Sequence, residues 1–262
     1  MSLNQTGVVS FNHIDVGASY DNGPGKHRIG LLALSNDYVM ERDFINMRPS
    51  DDVVFYTSRL PNTPDCTVET LKVMAPHIST STSLLIPEGR LDVVAYGCTS
   101  GTAVLGYDEI EARIQTARPG ISCTTPLTAS VEALDKFWAK KIAVLTPYVD
   151  DVNAEIARYL REAGKEIVYF NSFNIAENEL MAKLSPQSIF DAAIASDHSD
   201  ADALFISCTA IRACDVVERI EQKLGKPVVT AVQAIFWRSL RLSGYSNPVP
   251  GYGRLMRDEF VV

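Results

Sequence analysis

Two segments of the chain repeat one pattern. Asp92-Val93-Val94-Ala95-Tyr96-Gly97-Cys98-Thr99 and Asp202-Ala203-Leu204-Phe205-Ile206-Ser207-Cys208-Thr209 each read as an aspartate, four apolar residues, a small residue and then Cys-Thr. A short, wholly apolar run is the signature of a strand covered on both faces, as in a parallel sheet sandwiched by helices. A second pair of runs, starting at Ile29 and Ile142, recurs at nearly the same distance: 113 residues (29 to 142) against 110 (92 to 202). A βα unit copied within one chain predicts an α/β fold of two pseudo-symmetric lobes, each a mostly parallel sheet flanked by helices, with the active site in the cleft between them.

The remaining pattern fits that frame. Strands are expected at 29–34, 53–58, 91–96, 141–145, 166–170 and 203–206, and helices at 67–78, 130–140, 152–163, 186–196 and 213–224. The turn-rich Asp21-Asn22-Gly23-Pro24-Gly25 stretch makes 1–27 an N-terminal arm. Residues 28–126 with 232–262 are assigned to the first lobe and 127–231 to the second.

Bulk properties exclude several partners. The net charge of −8 comes without any Lys/Arg block, which argues against nucleic acid. Apolar runs are strand-length, far short of the roughly 20 residues that span a bilayer, so no membrane association is expected. No secretory signal is visible, and five scattered cysteines make no disulfide framework, so a cytoplasmic chain with free thiols is expected.

Ligands of parallel sheets bind beyond the carboxyl ends of the strands. Asn36, Cys98, Tyr148 and Cys208 all fall there. A helix starting after each Cys-Thr would lower the thiol pKa, and its free N–H groups around Thr99, Ser100 and Thr209 would suit a carboxylate. One cysteine in such a place is more often packing than chemistry; a cysteine at the same strand end of both halves is much harder to dismiss as packing. Neither has a Cys or His partner at metal-ligand spacing, so no metal and no cofactor is expected. A Cys-His-Asn hydrolase stays open, although no histidine falls at a strand end facing Cys98. Cys66, Cys123, Cys214 and the four histidines read as packing or surface residues.

The segments Ala95 through Gly101 and Phe205 through Ala210 resemble the aspartate/glutamate racemase superfamily, within it the branch of maleate cis-trans isomerases and arylmalonate decarboxylases. Arg28-Ile29-Gly30-Leu31, Ser35-Asn36, Glu41-Arg42-Asp43-Phe44, Leu145-Thr146-Pro147-Tyr148, Lys226-Pro227-Val228-Val229 and Gln233-Ala234-Ile235-Phe236-Trp237 support the resemblance, which covers roughly 28–244. In texture the chain is most similar to racemase-like proteins associated with ectoine utilization. The resemblance implies that Cys98 is the nucleophile or first base and Cys208 the second acid/base. It also implies that Asn36, Tyr148 and Asn178 hold the carboxylates of a small substrate, and that the chain associates into a homo-oligomer, for which Phe236, Trp237 and Tyr245 are either apolar surface or core.

Three chemistries occur in that branch. Arylmalonate decarboxylases lack the first cysteine, so the presence of both Cys98 and Cys208 favours cis-trans isomerisation or racemisation over decarboxylation; a non-enzymatic carboxylate sensor is the alternative from another class. One departure concerns the substrate. Asp37 follows Asn36 where isomerases carry a small residue, and an inward carboxylate there would repel maleate.

Overall fold

The computed structural model describes residues 13 and 16–258, so most of the expected arm lies outside the described residues. Two four-stranded sheets form the frame. The first contains β1 (His27–Leu34), β2 (Val53–Leu60), β3 (Val93–Tyr96) and β4 (Ser122–Thr124) in the order β2-β1-β3-β4. The second contains β5 (Lys141–Thr146), β6 (Glu166–Ser172), β7 (Ala203–Ile206) and β8 (Val228–Thr230) in the order β6-β5-β7-β8. All pairings are parallel and the order is the same in both, so the repeat read from the chain is a repeat of topology.

The repeated aspartates explain part of the pattern. The Asp92 carboxylate accepts from the Arg28 N–H at 2.7 Å, and Asp202 accepts from Lys140 and Lys141 at 2.9 and 2.8 Å. Each pins the start of its sheet's central strand, which leaves the cysteine end of the motif at the opposite, carboxyl edge. From β1 the chain passes to β2 on one side and returns to β3 on the other, so β1 and β3 diverge at a switch point; β5 and β7 do the same. Crevices open at such points.

Several helices differ from expectation. The segment 67–78 is not one helix: α2 (Val68–Lys72) ends before a 3-10 turn, Ala75–His77, that leads into α3 (Ile78–Ser83). Pro76 is the cause, since it has no N–H to donate and its ring crowds the preceding turn. The helix expected at 130–140 is α6 (Pro126–Lys136), started four residues earlier by Thr125, which exchanges capping hydrogen bonds with Thr128. Of the other helices in the first half, α1 is Met40–Met47, α4 is Thr99–Leu105 and α5 is Tyr107–Ala117.

In the second half, α7 (Asp150–Glu162), α8 (Asn178–Lys183) and α9 (Pro186–Ala195) precede β7. The helix expected at 213–224 is a 3-10 turn, Ala213–Asp215, followed by α10 (Val217–Leu224). Cys208 therefore does not precede a helix directly, as Cys98 does. Its backbone has φ of +98°, and Thr209 spends its hydroxyl on the Gly97 carbonyl of the other half at 3.1 Å instead of capping a new helix.

After β8, α11 (Ala231–Leu242) packs against β1, β3 and β4 of the first sheet, and α12 (Gly253–Arg257) packs on α10 and α11. Phe236 and Trp237 are buried in that packing, Phe236 against Phe44, and so are core and not association surface; Tyr245 is half-buried, edge-on to His27. Among the described residues no helix is long and apolar enough to cross a membrane.

The halves are tied by polar contacts around the cleft. The Arg42 guanidinium bridges Asp43 at 2.8 Å and Asp215 at 2.6 Å, and Asp65 forms an antiparallel bridge with Glu177. Asp43 is 1% exposed, with Arg42 on its Oδ1 and the Cys214 thiol beside its carboxyl. Burial pushes its carboxyl up to about 6 against the pull of Arg42. The native state thus binds this proton more tightly than the unfolded chain, so stability falls as pH rises from about 4 to about 6. Asp43→Asn should remove that slope: the stability of the wild type relative to the variant drops by roughly 2–3 kcal/mol between pH 4 and pH 7, measurable by urea unfolding at each pH.

Candidate active site

Each central strand and its inner neighbour deliver one residue pair to a common cavity. Asn36 follows β1 and Cys98 follows β3; Tyr148 follows β5 and Cys208 follows β7. All eight residues expected at the site (Asn36, Cys98, Thr99, Ser100, Tyr148, Asn178, Cys208 and Thr209) line this one cavity, together with Leu34, Asp37 and Ala210. It is narrow and mostly buried, with a volume of about 20 Å³, room for little more than one water in this arrangement. Larger grooves exist, such as one of about 490 Å³ along α7 and β6, but that one is open and holds no thiol.

The two thiols are held differently. Cys98 is extended at φ −137° and ψ 115°, and its Sγ accepts from the Gly101 N–H at 3.2 Å, capping α4. The Ser100 hydroxyl lies 3.6 Å from the same sulfur and 3.4 Å from Cys66 Sγ. Cys66, read from the chain as packing, therefore sits one hydroxyl away from Cys98; nothing in its local sequence marks it, because the contact spans 34 residues. Cys208 Sγ accepts from the Ala210 N–H at 3.3 Å and from the Tyr148 hydroxyl.

Positive φ at Cys208 is a conformation that favours glycine and costs a side-chain-bearing residue of order 1–3 kcal/mol. The strain aims its sulfur into the same cavity as Cys98.

The expected lowering of both thiol pKa values is not found. Burial dominates at both: it raises Cys98, opposed by Ser100 and the Gly101 N–H, and pushes Cys208 up to about 12, opposed by Tyr148 and the Ala210 N–H. Each thiol also faces the other residues' negative charge, Asp37 acting on both. The free N–H groups of a short helix do not outweigh the loss of water in a buried cavity. Cys98 and Cys208 are neutral thiols here, each with two or more donors already aimed at the sulfur.

The polar lining is built from both halves. Asn36 Nδ2 donates to the Thr63 carbonyl at 2.9 Å, and its Oδ1 accepts from Asn62 at 2.9 Å, leaving one amide N–H for a ligand. Asn178 comes from the second half, and its Nδ2 faces the Pro64 and Thr63 carbonyls at 3.0 and 3.3 Å. A carboxylate on Asn178 would compete with those carbonyls, so Asn178 is a weaker carboxylate donor than the resemblance implies. Thr99 is buried with an unpartnered hydroxyl in the cavity wall. Tyr148 is 2% exposed and fixed by its carbonyl, which accepts from Asn153 at 2.9 Å and from Ser172. Among the described residues no group of three or more His, Cys, Asp or Glu could hold a metal ion.

Comparison with known proteins agrees with this architecture. The arylmalonate decarboxylase family model matches residues 100–256, more than half of the chain. The chain is 33% identical to arylmalonate decarboxylase of Bordetella bronchiseptica over 53% of its length and 59% of that protein. It is 27% identical to maleate isomerase of Pseudomonas putida over 89% of its length and 98% of that protein. Its fold superimposes with a TM-score of 0.81, at 23% identity, on a cysteine-to-serine variant of Nocardia farcinica maleate cis-trans isomerase with a covalently bound succinylcysteine intermediate, covering 89% of this chain and 99% of that one. By its matching family model and its repeated two-sheet frame, the chain belongs to the arylmalonate decarboxylase and maleate isomerase branch of the aspartate/glutamate racemase superfamily.

Proposed function

We propose that the chain is a cofactor-independent isomerase or racemase of a small carboxylate, with the Cys98 and Cys208 thiols as its reacting groups. One observation supports the reading: two cysteines supplied by repeated strand ends line one cavity. In the isomerase form, Cys98 loses its proton to solvent as the substrate enters, and the resulting thiolate adds to a carbon of the substrate double bond. A C–S bond forms, the π electrons move to the neighbouring carbon, and Cys208 protonates that carbon. Rotation about the new single bond, return of the proton to Cys208 and departure of the thiolate give the other isomer.

In the racemase form, one thiolate removes the proton α to the carboxylate and the opposite thiol supplies one from the other face. The succinylcysteine in the maleate isomerase of like fold supports the covalent form. The 33% identity to an arylmalonate decarboxylase supports a second reading, in which Cys208 alone protonates the carbanion left by loss of carbon dioxide; the duplicated thiol at Cys98 would then have no role.

Incubation with a panel of small carboxylates in deuterated water tests the proposal. Isomerisation, or else racemisation accompanied by deuterium entry at the α carbon, is expected, and a panel that binds without either would sink it. Tyr148 gives a further expected result. Its hydroxyl donates to Cys208, so Tyr148→Phe should raise the pKa of that thiol and move the basic limb of the pH–rate profile upward. Loss of a hydrogen bond to a charged group is worth about 1.5–3 kcal/mol, so kcat should fall roughly 10- to 100-fold.

A further inference from the structure

Cys98, the attacking thiol of the proposed reaction, must ionise in surroundings that oppose a negative charge. Asp37, Cys66, Cys208, Tyr96 and Tyr148 face it, and none of these acids can supply a positive charge. Arg59 acts on Asp37, and no lysine, arginine or histidine lines the cavity. Stabilising a thiolate at Cys98 therefore falls to hydrogen-bond donors. These are the Gly101 N–H at 3.2 Å, the Ser100 N–H, and the Ser100 hydroxyl at 3.6 Å.

That hydroxyl is shared. Its side-chain contacts are both sulfurs, Cys98 at 3.6 Å and Cys66 at 3.4 Å, and it has one proton to give. A thiolate at Cys98 can only accept, so the Ser100 proton must then point at Cys98, which leaves the Ser100 oxygen to accept from the Cys66 S–H. Cys66 suits that part because it keeps its own proton. It is 4% exposed, and burial first, then the negative charge of Cys98, raise its thiol, with Asp151 at the start of α7 acting the same way. It is also held in place. Its N–H donates to the Ala176 carbonyl at 2.9 Å, and Thr67 beside it caps α2, which packs on α4.

We propose that Cys66 is a positioning residue for the Cys98 thiolate: its S–H donates to the Ser100 hydroxyl, which fixes the Ser100 proton on the Cys98 sulfur. This rests on Cys98 being the reacting thiolate of the proposed function. While Cys98 is protonated the chain can run the other way, from Cys98 through Ser100 to Cys66. Ionisation reverses it by turning two hydrogens, with no heavy atom moved. Hydrogen bonds in a chain polarise one another, so the far donor strengthens the near one.

Alkylation by iodoacetamide as a function of pH tests the proposal, because trypsin leaves the five cysteines on five separate peptides that mass spectrometry tells apart. Cys66→Ala should move the Cys98 midpoint up by about 0.5–1 pH unit, the size of one ordinary hydrogen bond. Cys66→Ser should bring it back to the wild-type position or below, since a hydroxyl is a better donor than a thiol. In a Ser100→Ala background, Cys66→Ala should leave the Cys98 midpoint where Ser100→Ala alone puts it. Thermal melts check that each variant is folded. A midpoint unmoved in Cys66→Ala, one that stays as high in Cys66→Ser, or an equal Cys66→Ala shift with and without Ser100 would each overturn the proposal; the last is what loss of packing alone would give. The readout is a thiol titration and not turnover, so the expected shifts in a chain that converts no carboxylate would count against the proposed reaction and leave the hydrogen-bond chain standing.

Discussion

Replacing either Cys98 or Cys208 by alanine should lower turnover of a small carboxylate substrate by about 10³-fold or more, because each reaction form uses one thiol to attack or deprotonate and the other to return the proton. Substitution at both should cost little beyond the larger single effect, since the two groups act as one unit. Comparable losses at the two positions would separate isomerisation and racemisation from decarboxylation, which should need Cys208 but tolerate loss of Cys98 with a malonate substrate. Full activity in either alanine variant, measured on the substrate that is isomerised or racemised, would refute the two-thiol mechanism.

Stability should move independently of activity at Cys208. Its φ of +98° is strained for any residue with a Cβ, so Cys208→Gly should be more stable than Cys208→Ala by about 1 kcal/mol, although both are inactive. At Cys98 the sulfur caps α4, so Cys98→Ala should lose about 0.5–1 kcal/mol with no strain to recover. Urea unfolding of the three variants gives these differences directly.

The second large effect is expected at Gly97, the small residue before Cys98. A Cβ built there would lie 2.7 Å from the Leu32 carbonyl oxygen and 2.6 Å from Met40 Sδ. Met40 can turn away, but the Leu32 carbonyl is part of β1 and accepts the Gly97 N–H at 2.9 Å. Relief requires the end of β3 to move from β1, which breaks that hydrogen bond and displaces Cys98. Gly97→Ala should therefore destabilise by roughly 2–4 kcal/mol and lower turnover as well.

The matching position in the other half makes a control. Ser207 donates its N–H to the Leu145 carbonyl at 2.9 Å and carries a side chain there without disruption. Its hydroxyl is buried without a partner, so Ser207→Ala should change stability by less than about 1 kcal/mol. Equal effects at the two positions would show that the halves are packed alike, contrary to the contacts at Gly97.

The strands were the most legible part of the chain because a buried parallel strand imposes a continuous apolar run on its own sequence. Thus the expected 203–206 strand coincides with β7, and 53–58 falls short of β2 by two residues. Helices were less so. Pro76 and Thr125 carry the signals that break α2 from α3 and start α6, and apolar spacing alone does not register them. The strands β4 and β8, three residues each, left too little local pattern to be told from loops.

The same division runs through the site. The sequence alone determined that two Cys-Thr units end equivalent strands in two copies of one unit, and with them that Asn36 and Tyr148 lie at carboxyl ends; these are local properties, written in consecutive residues. Only the tertiary structure decided that the sulfurs share a buried cavity, and that burial there raises both thiols instead of lowering them. Desolvation depends on what the other half packs over a residue, and that is not encoded beside it.

The tertiary structure also broke the symmetry of the cysteine pair that the chain displays. Cys98 caps a helix, whereas Cys208 is strained and bound by Tyr148, because Thr209 bonds across the cleft to Gly97 and leaves no room for a second helix start. It turned Asp37 from a departure in one loop into part of the cavity wall, with its carboxyl raised by burial and within electrostatic reach of both thiols.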